Sequence, residues 1–113
     1  MGLRINYKNN EFDLDVKKVS ELGKISGLMF CRRENARTLL FEFNKSTRMA
    51  IHSWFVFFPF IAIWLDDKNQ VVEIKKITSW RSYIVPKRKF SKLIEIPCNE
   101  KYEELIKEIN LRR

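Results

Sequence analysis

The chain has 113 residues, 45% of them hydrophobic and 32% charged, with a formal net charge of +8. That length fits one domain over residues 1–113 with one real core, and the apolar fraction excludes a disordered chain. The longest apolar run, Trp54 to Leu65, is twelve residues, against about twenty for a membrane-crossing helix.

Taken in order, Leu3, Ile5 and Tyr7 alternate with polar neighbours, as do Phe12, Leu14 and Val16. Period two marks a half-buried strand, and Asn9-Asn10 supplies a turn signal between the two, so a hairpin is expected. From Ser20 to Arg32, the spacing of Leu22, Ile25, Leu28 and Met29 predicts a short helix or irregular turn, weakened by Gly23 and Gly27. Thr38–Phe43 reads as a strand. Met49–Phe58 is aromatic and apolar and reads as a strand buried on both sides, interrupted by Pro59. Phe60–Leu65 and Gln70–Ile77 form a second hairpin, with Asn69 suited to the left-handed conformation in its turn. Arg81–Lys89 is expected to be a loop. Lys92–Ile96 alternates again and ends at Pro97. Asn99 then caps a helix whose apolar stripe is Tyr102, Leu105, Ile106 and Ile109. Many strands followed by one clear helix give an α+β class rather than a parallel βαβ sheet.

The charge is concentrated. Between Ile74 and Ile94 stand Lys75, Lys76, Arg81, Lys87, Arg88, Lys89 and Lys92, with no acid among them. Such a field favours polyanions and acidic partners without naming one. The abundance of Lys, Glu, Arg and Ile is the composition of proteins from hot environments. Cys31 and Cys98 show neither a disulfide framework nor zinc-ligand spacing; two free thiols are expected, with a mutual bridge as the alternative. The N-terminus Met1–Tyr7 has no apolar signal core. A cytoplasmic, monomeric protein without membrane association is expected.

Several segments in order, from Ser26 to Pro97, carry a family likeness: Gly27-Leu28-Met29-Phe30 followed by Leu40-Phe41-Glu42-Phe43; Ile51-His52-Ser53-Trp54-Phe55-Val56-Phe57-Phe58-Pro59 running into Leu65-Asp66; and Ser79-Trp80-Arg81 followed by Leu93-Ile94-Glu95-Ile96-Pro97. In these the chain resembles the domain-of-unknown-function 192 family. The resemblance implies a small, antiparallel, barrel-like β fold with one or two short helices and no established activity. The chain departs from the family pattern at Ser79, where a proline is usual, and at Ile61, where the family carries an acid; any activity that needs that carboxylate is lost here or supplied elsewhere.

His52 is the single histidine. No spacing provides it with an orienting carboxylate, a nucleophile or metal co-ligands, so no catalytic residue, metal or cofactor is expected. Trp80 and Arg81 are a pair suited to stacking on a ring and gripping an anion. On a strand, Arg48 and His52 share a face. If Trp80-Arg81 folds back beside them, Arg48, His52, Trp80 and Arg81 form an anion-binding corner. The sequence supports three functions in this order: a binding module for a small polar or anionic ligand at that corner; a nucleic-acid-binding module using Lys87, Arg88, Lys89 and Lys92; and a small enzyme with His52 as acid or base. For each of these residues the competing assignment is structural: a core histidine, a Trp at the core rim and a solvated basic loop.

Overall fold

A computed structural model describes residues 1–19, 28, 32–51, 56–80 and 84–112. The first two strands, β1 (Gly2–Tyr7) and β2 (Asn10–Asp15), form the expected hairpin, with Leu3 opposite Leu14 and Ile5 opposite Phe12. The turn lies one residue earlier than the asparagine pair suggests. Lys8 and Asn9 both take positive φ, 49° and 66°, which a two-residue hairpin turn matched to the strand twist requires. Arg4 pairs with Glu11 and Asp13 on the outer side; such exposed pairs add little stability but keep that side wet.

Five more strands build the main sheet: β3 (Lys17–Lys18), β4 (Leu39–Thr47), β5 (Phe60–Leu65), β6 (Val71–Ile77) and β7 (Phe90–Pro97), in the order β3-β4-β7-β5-β6. All pairings are antiparallel except the short β3–β4 contact. The turn between β5 and β6 is held by Asp66, whose Oδ1 accepts the backbone N–H groups of Lys68 and Gln70, both at 2.9 Å. Asn69 takes the anticipated left-handed conformation, φ 61°.

Alternation along β5 and β7 sends side chains to two separate cores. Phe60, Ala62, Trp64 and Leu93 point to one, with Leu39, Phe41, Ile77 and Phe90, under a cover that includes Leu28, Val56, Phe58 and Ile84. Ile61, Ile63, Leu65, Ile94 and Ile96 point to the other, which the β1–β2 hairpin and the C-terminal helix cover. Ile61, where the family resemblance implies an acid, is a core residue of the hairpin side. The hairpin starts beside β3 and reaches the far edge at β6, where Asn6 donates to the Asn69 carbonyl at 2.9 Å and pairs with Gln70. The architecture is α+β and barrel-like, an open sheet bridged at one point rather than closed by a continuous ladder.

The helix α1 (Glu103–Arg112) follows a 3₁₀ turn at Glu100–Tyr102. Asn99 caps that turn by accepting the Lys101 N–H at 3.1 Å, while its amide donates to the carbonyls of Arg33 and Ala36. The Tyr102 hydroxyl accepts the Thr38 N–H at 3.0 Å, tying the helix start to the entry of β4. The expected stripe packs on the hairpin-side core: Ile109 is buried and Tyr102, Leu105 and Ile106 are half-buried. The helix expected in Ser20–Arg32 falls mainly outside the described residues; within it, Leu28 is buried.

Ile109→Ala is expected to lower unfolding free energy by about 2–4 kcal/mol, because a buried side chain is lost and the sheet beneath cannot collapse into the gap. Leu105→Ala should cost less, in proportion to its partial exposure. Denaturant unfolding of the two variants measures both; equal stability in Ile109→Ala and the parent would place the helix outside the cooperative core.

Candidate functional site

The strand expected through Met49–Phe58 is not formed in its described part. Ile51 makes an isolated antiparallel bridge with Ile84, each N–H donating to the other's carbonyl at 2.9 Å. The next such pair along would place Pro86 opposite Met49, and proline has no N–H to donate. The Arg48 side chain takes over there: its Nε and Nη2 donate to the Pro86 carbonyl at 3.3 and 3.2 Å. Met49 N–H meanwhile turns back onto the Thr47 hydroxyl. Segments 48–51 and 84–86 therefore lie side by side, with Arg48 acting as the clasp.

Of the four residues assigned to the corner from sequence, Arg48 and Trp80 are described, while His52 and Arg81 lie outside the described residues. Trp80 is not at a core rim. It is 51% exposed, adopts φ 64°, and meets the 62%-exposed Phe57 edge to face with ring centroids 5.7 Å apart. Left-handed backbone in a large aromatic residue is strained, and such strain concentrates at functional positions. The exposure of Phe57 also corrects the reading of the whole aromatic run as core. Phe58 and Phe60 are buried as expected, but Phe57 turns outward in the irregular stretch before β5, where no ladder enforces alternation.

The basic loop is anchored to the β6 edge. Lys87 N–H donates to Glu73 Oε1 at 2.8 Å, and Arg88 reaches the Val72 carbonyl at 3.4 Å. Lys75 reaches the Val85 carbonyl and lies 3.2 Å from Glu73 Oε2. That oxygen has no aligned hydrogen bond among the described residues, so the contact with Lys75 is an ion pair without directional bonding. Lys92 donates to the Asn69 side chain. The side chains of Lys87, Arg88 and Lys89 remain exposed, which leaves a cationic rim beside the clasp.

One group escaped the sequence reading. Glu95, in the centre of β7, stands opposite Leu39 and Ala62, and alternation points it to the same core that Val56 and Ile84 cover. It is only 6% exposed, and no hydrogen bond or ion pair reaches its carboxyl among the described residues. Burial pushes its pKa up to about 8, so it is largely protonated at neutrality. The Trp64 indole N–H, on the same side of the sheet, is buried with no partner among the described residues. An acid inside the apolar alternation Leu93-Ile94-Glu95-Ile96 was the available signal. Among the described residues no group of three or more His, Cys, Asp or Glu could hold a metal ion, and no helix is long and apolar enough to cross a membrane. A cavity of about 770 Å³ lies elsewhere, between α1, the end of β7 and the 3₁₀ turn at Arg33–Asn35.

The family model of DUF192, described as Uncharacterized ACR, matches residues 3–108. The chain belongs to the DUF192 family. A UPF0127 protein of Thermococcus kodakarensis is 35% identical over 78 residues, covering 67% of this chain and 48% of the relative; the chain thus spans about half the length of that curated relative. Two solved structures share the fold. One, from Sinorhizobium meliloti and provisionally described as a transcription regulator, superposes with a TM-score of 0.70 at 18% identity, covering 90% of this chain and 81% of its own. The other, a protein of unknown function from Novosphingobium aromaticivorans, gives 0.72 at 14% identity, covering 92% and 76%. At these identities the likeness is one of DUF192-type architecture alone.

Glu95 makes the stability of this DUF192 domain pH-dependent. With a folded pKa above the unfolded one, the native state holds more protons, so stability is full at acid pH and falls as pH rises from about 4.5 toward 8. Glu95→Gln should abolish that decline and exceed the parent at pH 8 by roughly 4 kcal/mol. Thermal midpoints of both proteins between acid and mildly alkaline pH provide the test; parallel curves would mean that Glu95 is solvated or paired.

Proposed function

We propose that this DUF192 domain binds a small polar or anionic ligand at the corner formed by Arg48, His52, Trp80 and Arg81. The observation that carries the reading is the juxtaposition of 48–51 with 84–86 by the Ile51–Ile84 bridge and the Arg48 clasp. His52 directly follows Ile51 in the chain, and Arg81 stands three residues before Ile84, so each adjoins one of the two joined segments in sequence. Arg48 offers charge, although two of its donors are occupied by Pro86. Trp80 offers an exposed ring held by a strained backbone, suited to a planar or apolar part of a ligand. The cationic rim at Lys87–Lys89 concentrates anions near the corner.

Inorganic phosphate is a suitable probe. Saturating phosphate should raise the stability of the parent protein by about 1–3 kcal/mol, and Arg81→Ala should lose that gain while keeping its fold. A bound anion favours the charged imidazole, so phosphate should raise the pKa of His52 in an NMR titration, and binding should weaken as pH rises through that value. A His52 titration indifferent to phosphate, with equal protection in Arg81→Ala, would remove the anion site.

A second reading is a nucleic-acid-binding module using Lys87, Arg88, Lys89 and Lys92, favoured by the exposure of the first three side chains and consistent with the provisional description of the Sinorhizobium meliloti neighbour. Phosphate contacts release counterions. Binding to RNA or DNA should therefore be strongest at low salt, fall steeply with added salt, and fail when Lys87, Arg88 and Lys89 are reversed in charge. Absence of binding at low salt refutes this second reading.

A further inference from the structure

The cavity beside α1 has a chemical character of its own. About 770 Å³ in volume, it exposes more apolar than polar surface, supplied by Cys98, Ile106 and the carbon stems of the charged side chains that line the rest of it. Clefts of this size, apolar with a few convergent polar groups, hold small molecules. Its charged residues are of both signs, but they are not equally available. Glu34 is held by Arg32 at 3.1 Å, and Glu103 by Lys107 at 3.4 Å. Arg33, Lys76 and Lys101 have no carboxylate within ion-pairing distance among the described residues, and Glu100 is the acid left to oppose them.

Two of those cations lie near Cys98. Arg33 donates its Nε to the Cys98 carbonyl at 2.7 Å, which fixes the guanidinium against the end of β7 and leaves its terminal nitrogens to other acceptors. Lys76 comes from β6, beyond β5 from β7. Both cations lie close enough to the Cys98 thiol to lower its pKa, although burial outweighs them and keeps the thiol protonated. Cys98 is thus a partly exposed, protonated and slowly reacting thiol in the cavity wall, with Arg33 and Lys76 near it.

We infer that this cavity is a binding site for a small amphipathic anion, whose charged head lies between Arg33 and Lys76 and whose apolar tail runs over Cys98 and Ile106. Neither half of such a ligand suffices alone. A bare anion meets exposed, hydrated cations and gains little. A neutral apolar molecule gains burial but leaves the cations unpaired. The site lies on the hairpin-and-helix side of the sheet and uses none of the residues of the Arg48–Trp80 corner.

Sodium octanoate is the probe, with sodium acetate and octanol as its separated halves. Octanoate should shift the NMR signals of Cys98, Ile106 and Lys76, and should slow alkylation of Cys98 by iodoacetamide, followed on the Cys98 peptide by mass spectrometry. Lys76→Glu should weaken octanoate binding about tenfold, the worth of one charge-assisted contact; Lys76→Gln serves if the reversal disturbs the edge strand. Acetate and octanol should each bind about tenfold or more weakly than octanoate. Trp80→Ala should leave all of this unchanged, which separates the cavity from the corner. Octanoate shifts that are absent, that match those of octanol, or that persist undiminished in both Lys76 variants would overturn the inference.

Discussion

Strand β5 is buried on both faces along its whole length, Phe60 to Leu65, and it lies between β7 and β6 in a fixed register. Each residue of that strand is committed to one of two cores. A slip of one residue would send Trp64 and Phe60 into the hairpin-side core and Ile61 and Ile63 into the other. The exchange would set bulky aromatic side chains against the hairpin and helix, which pack on a core of Ile and Leu side chains. Everything that gives the domain its surface chemistry hangs on this doubly buried sheet.

The two covers differ in kind. On one side, a regular hairpin and a regular helix satisfy their own backbone groups. On the other, the described cover is irregular chain around Val56, Phe58 and Ile84, pinned by an isolated bridge and by an arginine on a carbonyl. Irregular cover needs side chains to settle its backbone, which is why Arg48, Lys75, Arg88 and Glu73 are engaged with main-chain groups there. It also leaves aromatic residues exposed, as at Phe57 and Trp80, and gives the sheet a buried acid, Glu95, beneath it. Binding residues are found disproportionately on such loops above a rigid scaffold.

The legible parts of the fold were those with a strong period. The two hairpins, the strand at Thr38, the last strand and the capped C-terminal helix could all be read, because alternation and helical spacing report burial directly. The stretch around Met49–Phe58 could not be read as it folds. Its composition is that of a buried strand, yet Pro86 on the facing chain removes a ladder donor, and nothing local to 49–58 signals that. Likewise the turn moved to Lys8-Asn9 because the register between Ile5 and Phe12 left two residues for it, whichever residue favours a turn.

The sequence by itself determined the α+β class, the strand and helix content, the family likeness and the concentration of cations between Ile74 and Ile94. These are properties of composition and of short-range period, and each is set by residues close together in the chain. Tertiary structure alone decided which distant residues meet: Arg48 with Pro86, Trp80 with Phe57, and Arg33 and Lys76 about Cys98. It also decided that Glu95 faces a core and is therefore protonated. Those outcomes depend on strand order, since β7 enters between β4 and β5, and the order of strands in a sheet is not encoded in any one segment.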